Sequence, residues 1–223
     1  MKGVVFSFKN SETGFRKANR LRLSDLRYGI KRYGIKLMFV LFLLMGLVYG
    51  SVYAKNADTE MLNSLDFLFT TNLETRLSQN FLETFCACFA SDFIFLFTVF
   101  LLGFAPWGIP VIVFAMMFKG FGTGLTAGYL CLTGSLKGLG FYLLVLLPGT
   151  FLFCISFILF SSSAFNFSKK MFLNVVSKEK AVQLKRQASL VFCSRMMSSL
   201  IMTFCAALLD SALWTLFAGA FSF

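Results

Sequence analysis

The sequence predicts an all-α, polytopic integral membrane protein with about five transmembrane helices. Three observations predict it. The chain has 223 residues, of which 57% are hydrophobic, only 14% are charged and 31 are Phe, more apolar surface than one small soluble core can bury. Its apolar runs reach the ~20 residues that cross the hydrocarbon of a bilayer. Those runs lack the ~10-residue polar–apolar alternation of barrel strands, which leaves helices, satisfying their own backbone hydrogen bonds, as the spanning structures.

The elements follow in order. Residues 1–36 form a basic tail with ten Lys and Arg against Glu12 and Asp25, expected on the cytoplasmic side by the positive-inside rule. Within it, Arg27-Tyr28-Gly29-Ile30-Lys31 repeats at once as Arg32-Tyr33-Gly34-Ile35-Lys36. A period of five keeps no single face on a helix of 3.6 residues per turn, so the repeat reads as a solvated basic collar. The first span, 37–54, ends in Tyr49-Gly50-Ser51-Val52-Tyr53-Ala54-Lys55, an interfacial aromatic anchor. The small-x-small pattern of a cleavage site fails at Val52, and the span reads as retained. The following loop, 55–80, holds Asp58, Glu60, Asp66 and Glu74 against Lys55 and Arg76, which suits the outside.

The second span, 81–104, and the third, 109–130, are separated by Pro106-Trp107-Gly108-Ile109-Pro110, a turn-prone break that predicts a very short cytoplasmic hairpin. In the fourth span, 139–160, Pro148-Gly149 should kink or unwind the helix; the blander form of this reading is a packing kink. The loop 166–197 carries Lys169, Lys170, Lys178, Lys180, Lys185, Arg186 and Arg195 against Glu179 and is expected in the cytoplasm. After the fifth span, 198–221, the carboxyl terminus is expected outside.

Composition also closes several functions. The net charge of +11 flanks the spans and is not interleaved with a recognition motif, so it points to membrane lipid headgroups and not to nucleic acid. With no histidine, Ser-His and Cys-His nucleophiles, HExxH zinc sites and ordinary haem ligation are excluded. The six cysteines form no CxxC pair, and Cys86, Cys88, Cys154 and Cys205 fall in spans as small hydrophobes. No metal or cofactor is expected. Gly122-Thr123-Gly124-Leu125-Thr126-Ala127 fits a dinucleotide-binding fingerprint in letters only: no acidic residue lies between Asp92 and Glu179, and no Walker lysine follows. An intramembrane aspartyl protease built on Asp92 and Asp210 would need a GxGD motif, which neither site has. The expectation is a protein that is not an enzyme.

What remains is a docking chemistry. Gly120, Gly124 and Gly128 recur every four residues, a smooth stripe for close helix contact within the subunit or with a partner, oligomeric or otherwise. Lys119, beside that stripe, Asp92 and Asp210 fall at similar depth near the midplane of their spans. A charge there costs ~2.5–3.5 kcal/mol on insertion scales, so Lys119 is expected to pair with Asp92, Asp210 or both. The competing reading makes 93–118 one broken helix, with Asp92 at its outer edge and Lys119 snorkelling to the cytoplasmic surface.

Leu101-Leu102-Gly103, Gly108-Ile109-Pro110, Phe118-Lys119-Gly120, Gly124-Leu125-Thr126-Ala127-Gly128-Tyr129-Leu130, Lys137-Gly138 and Leu147-Pro148, in that order and spacing, resemble the signature region of the stage II sporulation protein M family. The resemblance covers 92–165, about a third of the chain. It implies a non-enzymatic membrane anchor or scaffold in a bacterial cell membrane. The partners it implies resemble stage II sporulation proteins D and P, which remodel peptidoglycan during forespore engulfment, and the outward loop 56–80 becomes a candidate contact for them. One dipeptide departs from the family: Gly149-Thr150 stands where Gln-Asn is usual after the late proline. The alternative class is a small-solute transporter or channel component that uses the broken helices and midplane charges as its site.

Overall fold

The computed structural model describes residues 12–56, 80–176 and 186–217, and among them the regular structure is helical throughout. The chain divides into two compact units, Met1–Leu37 and Met38–Phe223. Five long helices follow one another: α1 (Glu12–Tyr53), α2 (Phe81–Phe104), α3 (Gly108–Phe141), α4 (Leu147–Val176) and α5 (Arg186–Phe217). Residues of α1 up to Leu37 belong to the first unit, where Lys36 lies over the Tyr33 ring at 5.6 Å. The rest of the architecture belongs to the second unit.

Among the described residues five segments are long and apolar enough to cross a membrane: Tyr33–Asn56, Phe81–Phe104, Gly108–Leu132, Tyr142–Leu173 and Gln187–Phe217. The fold is therefore that of an all-α, multi-pass membrane protein. Of the segments outside the spans, residues 1–11 of the basic tail, 57–79 of the acidic loop and 177–185 of the basic loop lie outside the described residues.

The break between α2 and α3 is a tight turn at Ala105-Pro106-Trp107. Ala105 N–H donates to the Leu102 carbonyl at 3.1 Å, Gly108 N–H donates to the Ala105 carbonyl at 3.0 Å, and the Ser168 hydroxyl of α4 donates to the same Ala105 oxygen at 2.7 Å. Gly108 is required here, since a Cβ would strike the Leu102 carbonyl. Pro110 sits in the first turn of α3, where its missing N–H would have had no helical acceptor anyway.

Two stretches differ from the sequence-based expectation. No extended loop separates the third and fourth spans: α3 runs on to Phe141 and is followed at once by a π-turn, Tyr142–Leu146. Here Leu147 N–H bonds to the Tyr142 carbonyl, five residues back. The cause lies just beyond: the Pro148 ring would crowd the carbonyl four residues earlier in a regular α-helix, and a wider turn relieves that contact. The stretch 166–197 is also mostly helix, because α4 continues to Val176 and α5 begins at Arg186. No Gly or Pro occurs from Thr150 to Ala218, and Lys, Arg, Gln, Met and Leu are good helix formers, so the basic residues that mark water do not end the helices.

Aromatic packing fills the space between the helices. Phe192 of α5 stacks on Phe167 at 4.7 Å and on Phe160 at 5.5 Å, and meets Phe104 edge-on at 5.4 Å. Gly103 makes its seat, for a Cβ there would come within 2.6 Å of the Phe192 ring. Farther along, Trp214 closes a cluster with Leu130, Phe141, Val145 and Leu146.

Candidate functional site

The two faces of α3 organise the site. One face carries the small-residue stripe, and it docks on α1. A Cβ on Gly120 would collide with the Leu43 carbonyl, one on Gly124 with the Leu47 carbonyl, and one on Gly128 with Ser51 and Ala54. The fit is reciprocal: Gly46 and Gly50 of α1 face the carbonyls of Met117 and Phe121 in the same way. Both helices advance together along this seam, so they run parallel with backbones in contact, the arrangement that small residues at a spacing of four permit in lipid. Ser51 joins them further, its hydroxyl donating to Gly124 O at 3.1 Å and to Leu47 O at 2.9 Å.

The other face of α3 carries Lys119, Gly122, Thr123 and Thr126, whose spacing keeps them on one side of a helix. Lys119 is 5% exposed, and its Nζ lies 2.7 Å from Asp92 Oδ1 on α2. The hairpin explains the match. Asp92 and Lys119 stand at nearly equal distances on either side of the Ala105–Trp107 turn, each ~17 Å away at 1.5 Å per residue, so the antiparallel helices bring them level. The ammonium is also flanked by the rings of Phe95 and Phe153, each with its centroid 4.9 Å away. An aromatic face contributes about 2 kcal/mol to a desolvated cation, and two such faces plus a carboxylate replace much of the lost hydration.

Asp210 of α5 faces the same space with a different partner: the thiol of Cys88, one turn before Asp92 on α2, donates to its Oδ2 at 3.1 Å. Together these residues line a cavity of about 50 Å³, with Ser91, Thr123 and Tyr142 among its walls. Pro148 and Gly149 shape its fourth side. The π-turn before Pro148 places Tyr142, and Gly149 lets α5 come in so closely that a Cβ there would lie 2.7 Å from Asp210 Cβ. Thr150 lines the cavity while donating to the Leu146 carbonyl at 2.9 Å. The Gly149-Thr150 departure thus has a local account: a Gln at 149 has no room beside Asp210.

The structure therefore brings Asp92 and Lys119 together, places Asp210 across the same cavity, and sets Gly120, Gly124 and Gly128 on the opposite face of α3. Lys119 is not snorkelled, because α2 and α3 are separate helices. Five participants were not singled out from sequence. Gly46 and Gly50 had a visible signal, the same spacing of four as Gly120 and Gly124. Cys88 had a weaker one: it was expected as a small hydrophobe, yet it stands four residues before Asp92. Phe95 and Phe153 had none among 31 Phe. Among the described residues no group of three or more His, Cys, Asp or Glu is placed to hold a metal ion.

Five apolar helices locked by a backbone seam and a buried ion pair define a multi-pass helical membrane protein. The family model for stage II sporulation protein M matches residues 38–215, so this chain belongs to that family. No curated protein and no solved structure matches it.

Proposed function

We propose that this protein is a non-enzymatic membrane anchor or scaffold, which holds peptidoglycan-remodelling partners resembling stage II sporulation proteins D and P at a bacterial cell membrane during engulfment. Its amino terminus and basic loop face the cytoplasm in this reading, and its acidic loop and carboxyl terminus face outward, the arrangement that the Lys and Arg distribution favours. Family membership supports the setting.

The observation that carries the scaffold reading is the state of Lys119. Its charge is taken up by Asp92 and two aromatic rings, and the adjoining cavity of about 50 Å³ is far below the ~300–1,000 Å³ of small-molecule sites. A charge so enclosed docks helices; it does not offer itself to a solute. Mild-detergent purification from the native cell, followed by identification of co-purifying proteins, tests the proposal. Recovery of cell-wall hydrolases is expected. Isolation without partners, together with stabilisation by a solute or a solute flux lost on Lys119→Met, would count for transport instead.

A further inference from the structure

We propose that the cleft between the basic ends of α4 and α5 binds the headgroup of an anionic phospholipid. The inference stands apart from the scaffold reading, since it concerns a cleft ~22 Å along α5 from the Asp210 cavity and needs no protein partner. The cleft has a volume of about 350 Å³, seven times that of the cavity beside Lys119.

The spacing builds it. Ser163, Asn166, Phe167 and Lys170 lie on one face of α4, and Gln187, Val191 and Arg195 on one face of α5, so the two helices form its walls. Lys170 and Arg195 are both exposed cations, and among the described residues no acidic side chain lines the cleft. Arg195 is held in place, its guanidinium donating to the Ser163 hydroxyl at 2.8 Å. One guanidinium has five N–H donors in a planar fork suited to phosphate oxygens, so that bond leaves donors for a ligand. The floor is dry: Phe167 and Phe192 stack at 4.7 Å and both are buried. Val191, 48% exposed, gives the rim an apolar side.

Depth selects a lipid over a dissolved anion. Arg195 lies fifteen residues from Asp210 on one helix, ~22 Å at 1.5 Å per residue. With Asp210 near the midplane and a hydrocarbon half-thickness of ~15 Å, the guanidinium falls in the headgroup layer. Lys170 lies about two turns farther out along α4 than Ser163, in reach of the polar part of a headgroup whose phosphate sits on Arg195. Basic pockets between membrane helices at this depth suit anionic headgroups.

The test uses the full chain purified in mild detergent. Phosphatidylglycerol, phosphatidylcholine and inorganic phosphate are each titrated, with bound lipid counted by native mass spectrometry and thermal stability followed in parallel. Phosphatidylglycerol should be retained and stabilising, phosphatidylcholine and inorganic phosphate should not. The double variant Arg195→Gln/Lys170→Gln should bind phosphatidylglycerol roughly thirtyfold more weakly, while Lys169→Gln, an exposed neighbour outside the cleft, should bind as the wild type. Equal retention of phosphatidylcholine, equal stabilisation by inorganic phosphate, or undiminished binding by the double variant would overturn the proposal. Should the double variant fail to fold, the comparison of the three probes on the wild-type chain still decides.

Discussion

The two faces of α3 dock by opposite means. Toward α1 the contact is chiefly shape: five glycines on two parallel helices, each set against the other's backbone, with one hydrogen bond across the seam from the Ser51 hydroxyl to Gly124 O. Toward α2, α4 and α5 it is chemistry: an ion pair, a thiol–carboxylate hydrogen bond and hydroxyl-bearing walls around a small cavity. Lipid tails are as apolar as leucine, so burial of hydrocarbon drives neither contact. The seam gains from close backbone approach and tolerates no added atom. The polar face gains from partnership and tolerates no loss of one partner. The first specifies distance, and the second specifies which residues stand level with which.

The largest effect is expected at the seam. Gly124→Leu puts a side chain where the Leu47 backbone already is; overpacking against backbone destabilises by about 3 kcal/mol or more, and monodisperse protein should be lost in size-exclusion chromatography. Gly140→Leu serves as the control, because a Cβ there meets nothing within 4 Å, and it should purify normally. On the polar face, Lys119→Met leaves the largely buried Asp92, its side chain 15% exposed, without its cation, a change that costs about 3 kcal/mol and should appear as a large fall in thermal unfolding temperature in detergent. A smaller loss, about 1 kcal/mol, is expected for Cys88→Ala, since a single interhelical hydrogen bond in a membrane is worth less than that and a small void adds the remainder. Measured by the same thermal assay, a Cys88→Ala loss as large as that of Lys119→Met would mean that Asp210, and not Asp92, anchors the polar face.

The same contrast explains what could be read from the sequence. The five helices were legible because a bilayer enforces length and apolarity on anything that crosses it. Lys119 with Asp92 was legible in outline, since the Pro106–Pro110 break placed both at similar depth. Half of the seam was visible as Gly120, Gly124 and Gly128; its other half, Gly46 and Gly50, was passed over because two glycines in an apolar run do not announce what they face. Cys88 was hidden by chemistry, a thiol that reads as a small hydrophobe until a carboxylate is set beside it. The π-turn was legible as a disturbance at Pro148-Gly149 but not as its form, which depends on how α5 closes over Gly149. Helix ends were the least legible, because the Lys and Arg that mark the membrane boundary also favour helix beyond it.

The central claim is that Lys119 is an internal docking pin whose charge exists for Asp92. A double-mutant cycle measures that directly: Lys119→Met, Asp92→Asn and the two combined, each followed by unfolding in detergent. The account predicts that the double variant is more stable than Lys119→Met, with a coupling of about 2 kcal/mol or more, because removing both charges leaves nothing buried alone. Additive losses, with the double variant worse than either single one, would contradict it.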